Sequence, residues 1–385
     1  MGWRTVPTLT VSGLSEAQKR AFAIADNKLA ENAGWDRGLL HTEFEALLEL
    51  LPPVGLDLTI TGFSLGEIDQ LQADPGSSSA EPEDNVPGME APAVTRPGDV
   101  WELGRHRVAC GDARSRADLG RLMGGASARM VFTDPPYNVK IRGHVQGRGR
   151  IVHREFAFAA GEMSERQYVA FLKAAFANMV LQCTAGAVAF VCIDWRHIGA
   201  LLQAARPIFS EYKNLVVWNK ASPGQGSFYR SQHELIGVFK IGTGEHLNSF
   251  GLGEHGRTRS NVWTYPGGNS FHAGRMDELA LHPTVKPVAL VADALRDCSR
   301  KGDVVLDPFL GSGTTVLAAE KVGRRAYGLE IDPAYVDVAV RRWQGFTRAD
   351  VVLAGDGRTF EDMAAERARI APEVASGRGR KGEGR

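Results

Sequence analysis

The stretch DVVLDPFLGSGTTVLAAEKVGRRAYGLEIDP, Asp303 to Pro333, decides how the rest of this sequence is read. A short β-branched run stops at Asp307, a turn containing Gly311 and Gly313 follows, and an apolar helical pattern opens near Thr314. A second short apolar run then ends on an acid, Glu330, roughly 20 residues further on. Strand, glycine turn, helix and strand in that order form one parallel crossover unit. Its glycines let the backbone approach a ligand, its helix start offers unpaired N–H groups, and an acid at the next strand end suits ribose hydroxyls. The spacing is not GxGxxG and no GxxxxGK[ST] occurs, which counts against a dinucleotide and an NTP-hydrolysing loop. An adenosine-bearing, positively charged ligand fits better, with Asp307 placed to meet a cationic sulfonium or ammonium group.

The same alternation extends outward. ARMVF, GAVAFVCI, NLVVW and ELIGVF are short and β-rich, and helical patterns such as YVAFLKAAFANMVLQ lie between several of them. This predicts an α/β fold with a largely parallel twisted sheet and helices on both faces, over about residues 99–346. Residues 74–98 are rich in Pro, Ser, Gly and acid, and are expected to form a flexible linker. Ahead of them, residues 1–73 read as a small helical segment, with a capping box at Ser15 and Gln18 and a second helix from Leu39 to Leu51. Residues 347–385 read as an extension that ends in a basic disordered tail.

Composition excludes several classes. The 385 residues carry 45 basic and 45 acidic side chains, so any polyanion site must be local rather than a property of net charge. Four cysteines without a CxxC pair or a Cys/His cluster suggest neither a disulfide framework nor a zinc site, and no metal is expected. No leader and no long apolar run is seen, so a cytoplasmic location without a membrane span is expected.

A second constellation lies at TDPPYN, Thr133 to Asn138, directly after the strand ARMVF. An exocyclic amine on a base is a poor nucleophile because its lone pair is delocalised into the ring. Asp134 accepting one N–H, and a carbonyl aimed by the fixed φ of Pro135 and Pro136 accepting the other, favour a pyramidal nitrogen. Tyr137 offers a flat face to a base drawn out of a helix.

Together these motifs resemble the S-adenosylmethionine-dependent DNA amino-methyltransferases, in the permuted order where DPPY precedes FxGxG. TDPPYN, HPTVKP (His282 to Pro287), LDPFLGSGTT, GLEIDPAY and CGDA at Cys110 carry the resemblance. It implies a Rossmann-like methyltransferase fold, S-adenosylmethionine as cofactor, double-stranded DNA as partner, and direct methyl transfer to an amine of a flipped-out base. Asp134, Pro135, Pro136 and Tyr137 would be catalytic. Phe309, Gly311, Gly313, Thr314, Glu330 and Lys286 would line the cofactor site, joined by Asp112, Thr133, His282, Thr284 and Asp307. Aspartate at the first DPPY position implies adenine N6 as target; cytosine N4 is the alternative, and RNA or a protein amide a remoter one. A homodimer and a cognate restriction endonuclease are left open.

The Gly/Arg-rich stretch after Tyr137 is expected to form a mobile loop over the substrate. A recognition insertion is expected at about 221–275, where Arg230, His233, Arg257, Arg259 and Asn261 would face DNA. LSEAQKRAFAIADNKLAENAGWD resembles the later helical part of a ParB-like domain, which implies a truncated remnant or docking element.

Overall fold

A computed structural model describes residue 47 and residues 86–89, 92–139, 161–220, 228–250, 259–266 and 285–377. The chain divides into two units, Met1–Ser77 and Ser78–Arg385. The expected N-terminal helices, the loop following Tyr137 and the basic tail fall largely or wholly outside the described residues, as do His282, Thr284 and Arg257.

In the second unit, strands and helices follow in the order β1 (Val100–Leu103), β2 (His106–Cys110), α1 (Arg116–Met123), β3 (Ala128–Thr133), α2 (Glu165–Val180), β4 (Cys183–Ile193), α3 (Ile198–Ala205), β5 (Glu211–Asn219) and β6 (His233–Lys240). The order continues with β7 (Val262–Thr264), α4 (Val288–Cys298), β8 (Val304–Asp307), α5 (Thr314–Val322), β9 (Arg325–Glu330), α6 (Pro333–Thr347), β10 (Val352–Leu353) and α7 (Phe360–Gly377). One ten-stranded sheet runs β10-β1-β2-β9-β8-β3-β4-β6-β5-β7. Its centre, β2-β9-β8-β3-β4, is entirely parallel, and β6 runs against β4 and β5. This is the α/β, Rossmann-like architecture expected, with helices on both faces.

Alternation along the strands explains the two layers. Met130 and Phe132 of β3 join one core with α4, α5 and α6, while Val131 joins the other with α1, α2 and α3. Central parallel strands are therefore apolar on both faces, which is why their sequences read as continuous apolar runs. Helix α2 starts at a capping box, Ser164 with Gln167. Just before it, Asn138 and Met163 exchange side-chain to backbone bonds of 2.8 and 3.2 Å, so the chain leaving β3 is pinned to the start of α2.

Residues 92–98, inside the stretch expected as a linker, lie against this domain. The Asp337 carboxylate of α6 accepts the Val94 and Thr95 N–H groups at 2.6 and 2.9 Å, and Arg367 of α7 donates to the Val94 carbonyl at 2.6 Å. Phe360 of α7 packs on Trp101 at 5.1 Å, so the start of the expected C-terminal extension belongs to the core. Composition misled here because a few backbone N–H groups and one buried carboxylate order a stretch that lacks large apolar side chains. Asp337→Ala leaves two buried N–H groups without acceptors and is expected to lower unfolding stability by about 2–4 kcal/mol. Denaturant titration of the full chain checks this.

Candidate active site

All the parallel strands deliver their carboxyl ends to one edge of the sheet, the usual ligand edge of such folds. Thr133 ends β3 and Asp134 follows it; Asp307 ends β8, Glu330 ends β9, and Asp112 lies just past β2. Because β6 runs the other way, its first residues, His233 and Glu234, reach the same edge.

The DPPY side is a buried charge cage. Lys286 Nζ donates to Asp134 Oδ2 at 2.5 Å, to Glu234 Oε2 at 3.0 Å and to the Tyr137 hydroxyl at 3.1 Å, matching its three protons to three acceptors. Tyr137 in turn donates to Asp134 Oδ1 at 2.5 Å, with Glu234 Oε2 at 3.1 Å. Lys220 closes the network on Glu234 Oε1. Two carboxylates and two ammoniums sum to zero, and the faces of Tyr137 and Trp218 lie 5.4 and 5.7 Å from the Lys286 nitrogen.

Burial pushes the Asp134 carboxyl up from its ordinary value, against the pull of Lys286. Burial acts on Glu234 in the same direction, but Lys286 and Lys220 override it and hold that carboxyl at about 2. Lys286 stays protonated despite burial because Asp134 and Glu234 flank it. Glu234 is thus a permanent anion of the cage and Asp134 the softer acid. The Pro136 carbonyl accepts the Tyr168 hydroxyl at 2.9 Å, which fixes the second proline's peptide plane.

On the other side, Gly311 and Gly313 have φ of 54° and 88°. A Cβ on Gly313 would stand 2.7 Å from Ala339 Cβ, so glycine also permits the close approach of α5 to α6. Gly313 occupies the N-cap of α5 without a capping side chain, so the first helical N–H groups remain for a ligand. Arg342 braces this turn from beneath, donating to the Ser312 carbonyl and to the Ser312 and Thr314 hydroxyls at 2.9, 3.1 and 3.2 Å. Glu330 accepts the Gly311 and Asp332 N–H groups, both at 2.9 Å. A carboxylate offers about four acceptor positions, so capacity remains for a ribose hydroxyl. Burial pushes the Glu330 carboxyl up to about 7, offset in part by those N–H donors. Phe309 is half-buried against Phe171 at 5.8 Å, and Asp112 is clamped by the Arg114 guanidinium.

Several expectations change. Lys286 stands on the DPPY side, bonded to Asp134, rather than among the cofactor-side groups. Asp307 is turned inward and accepts the Thr133 hydroxyl, the Thr315 hydroxyl and the Phe309 N–H at 2.9, 2.6 and 3.1 Å, so it does not present itself to a cationic ligand. Thr133 is fully buried in that contact, and Thr314 is 8% exposed. Arg259, expected to face DNA, is turned into the protein: its Nε lies 3.1 Å from Asp297, its guanidinium 4.6 Å from the Trp263 ring. Asn261 donates to the Leu215 carbonyl at 3.0 Å, tying β7 to β5, while its residue stays exposed. Arg230 is exposed and His233 half-exposed.

Sequence reasoning missed Glu234 and Lys220, whose signal was an acid and a base bracketing apolar strands that face each other. It also missed Phe228 and Tyr229, exposed at 87% and 81%, which meet edge to face at 4.6 Å beside Arg230.

With this geometry in place, comparisons with known proteins are decisive for the family. The family model described as DNA methylase matches residues 128–341, more than half of the chain. The chain belongs to the DNA methylase family. A second model, described as the ParB-methyltransferase HTH domain, matches residues 38–97 of this methylase. That match begins after the stretch on which a ParB-like resemblance was read and runs through the expected linker. The methylase is 41% identical over 87 residues to the type II methyltransferase M.ScaI of Streptomyces caespitosus, covering 23% of this chain and 29% of that protein. It is 26% identical over 230 residues to the DNA adenine methyltransferase YhdJ of Escherichia coli K12, covering 56% of this chain and 76% of that one. The structure of the M1.HpyAVI–SAM complex aligns with a TM-score of 0.44 at 17% identity, over 61% of this chain and 97% of that one.

None of the described helices is long and apolar enough to cross a membrane, and no described cluster of His, Cys, Asp and Glu could hold a metal. Arg259→Ala removes the arginine that faces the buried Asp297 carboxylate and one of the two on Asp293, and is expected to lower stability by about 3–5 kcal/mol. The salt dependence of DNA binding by the folded fraction should not change, whereas loss of a phosphate contact would reduce that slope by about 1.

Proposed function

We propose that this methylase transfers a methyl group from S-adenosylmethionine to the exocyclic N6 amine of adenine in double-stranded DNA, with the target base turned out of the helix. The observation that carries the reading is the placing of Asp134 and Pro135 on the same sheet edge as the glycine turn and Glu330. The residues present fit the cofactor: Glu330 has acceptor capacity for a ribose hydroxyl, and the uncapped start of α5 and the half-buried Phe309 ring lie beside it. When bound, that cofactor supplies an electrophilic methyl group on a cationic sulfur.

The chain's own work is to prepare the amine. Asp134 accepts one N–H. Tyr168 already engages the Pro136 carbonyl, and the carbonyl of Pro135 is the acceptor for the second N–H. With both hydrogens held, the nitrogen lone pair is drawn out of ring conjugation and directed. Tyr137, tethered by its hydroxyl to Asp134 and half-buried beside it, is the ring on which the base would stack. Exposed Phe228, Tyr229 and Arg230 suit contact with bases and phosphates. Aspartate as the first DPPY residue favours adenine, as does the printed activity of YhdJ.

Incubating the full chain with labelled S-adenosylmethionine and unmethylated genomic DNA, then digesting to nucleosides, should yield N6-methyladenine. N4-methylcytosine alone would overturn the base assignment. Asp134→Ala should lower the transfer rate by at least about 10²-fold, with cofactor affinity little changed.

The raised carboxyl of Glu330 adds a pH dependence. Ribose hydroxyls donate to its anion, so cofactor affinity should weaken as pH falls below about 7, by up to about tenfold per pH unit. Stability of the unliganded chain moves the other way: the contribution of a raised carboxyl is present in acid and lost as pH rises through about 7. Calorimetric titration and thermal melts between pH 5 and 8 measure both.

A further inference from the structure

We infer that Glu234 is a positioning residue: it gives the Lys286 ammonium a second carboxylate to rest on, so that Asp134 can release it and accept the N–H of the target amine. The inference rests on Asp134 as amine acceptor, the reading given above.

Both oxygens of Asp134 receive donors within the cage, Tyr137 on Oδ1 and Lys286 on Oδ2, and each keeps one acceptor position. A charged donor bonds a carboxylate about twice as strongly as a neutral one, so while the ammonium holds Oδ2 the charge of Asp134 is drawn towards it and the carboxylate is a weaker acceptor for a neutral aromatic amine. Lys286 is 5% exposed and has no route to water that would carry its charge at low cost. Glu234 Oε2, already 3.0 Å away, removes the difficulty. Lys286 can lean from one carboxylate to the other without desolvating a new ion, and the Tyr137 hydroxyl stays within reach at either end of the movement. Lys220 holds the other oxygen of Glu234, so the receiving carboxylate cannot swing towards Asp134 instead. Both cations also lie over the Trp218 ring, at 5.0 and 5.7 Å from its centroid, which adds a shared cation–π contact to the anion they share. An acid at the second position of β6, just ahead of its apolar run LIGVF, therefore has a use in the reaction beyond pairing.

The test is a two-variant cycle on the full chain, read as methyl transfer to unmethylated genomic DNA. Glu234→Gln leaves Asp134 as the only anion for Lys286, and kcat is expected to fall about 10- to 100-fold with cofactor affinity unchanged. Adding Lys286→Met to that background removes the competing ammonium and should raise kcat above that of Glu234→Gln alone. A merely structural Glu234 predicts the opposite, a double variant no faster than the single one, and that result overturns the inference. So does a Glu234→Gln protein that turns over at the wild-type rate. If Glu234→Gln does not fold, as judged by circular dichroism, Glu234→Asp replaces it: the shorter arm should lower kcat, and Lys286→Met should again restore part of it. An inactive wild-type chain would instead overturn the underlying reading of Asp134.

Discussion

One buried carboxylate, that of Asp307, sets the distance between the two halves of the site. It is 4% exposed, and its three donors come from three elements: Thr133 at the end of β3, the Phe309 N–H in the glycine turn, and Thr315 in the first turn of α5. Asp134 follows Thr133 directly, so the group that would hold the amine and the turn that would hold the cofactor are referenced to the same two oxygens. None of these donors is a cation, and burial accordingly pushes the carboxyl up to about 6 despite three hydrogen bonds. A buried carboxylate left without such partners would cost far more than the bonds return, which is why all three elements must keep their places together.

The sheet edge gathers an unusual density of acid. Asp112, Asp134, Asp194, Asp307 and Glu330 all follow or end parallel strands, and Glu234 joins them because β6 is reversed. Each acid is handled differently. Asp112 and Asp194 take neighbouring arginines two residues on, Asp134 and Glu234 share Lys286, and Asp307 and Glu330 rely on hydroxyl and backbone N–H donors. Asp134 and Glu234 thus sit in a charge-balanced cage, whereas Asp307 and Glu330 are left without a formal counter-ion.

The flanks of the domain obey the same economy. Asp337 orders residues 94 and 95 through their backbone, Arg367 binds the same strip from α7, and Arg342 supports the glycine turn from α6. These polar contacts fasten segments that have little apolar surface of their own to the edges of an apolar two-layer core.

By itself, the sequence determined the periodic and locally encoded features. The apolar runs at β3, β4, β5, β6, β8 and β9, the helix before β4, and the glycine turn between Asp307 and Thr314 follow from side-chain size, β-branching and the need for positive φ. These are properties of neighbouring residues, and they mark the sheet edge where Asp134, Gly311 and Glu330 lie. Tertiary structure alone decided which charges meet. Lys286 stands 152 positions from Asp134, and Arg259 is held by carboxylates 34 and 38 positions on, in α4. A lysine in HPTVKP or an arginine in a polar loop reads alike whether it faces DNA, cofactor or a buried acid. The choice is made by desolvation: once packing buries Glu234, Asp293 and Asp297 and half-buries Asp134, the nearest cations must follow them in, whatever their place in the chain.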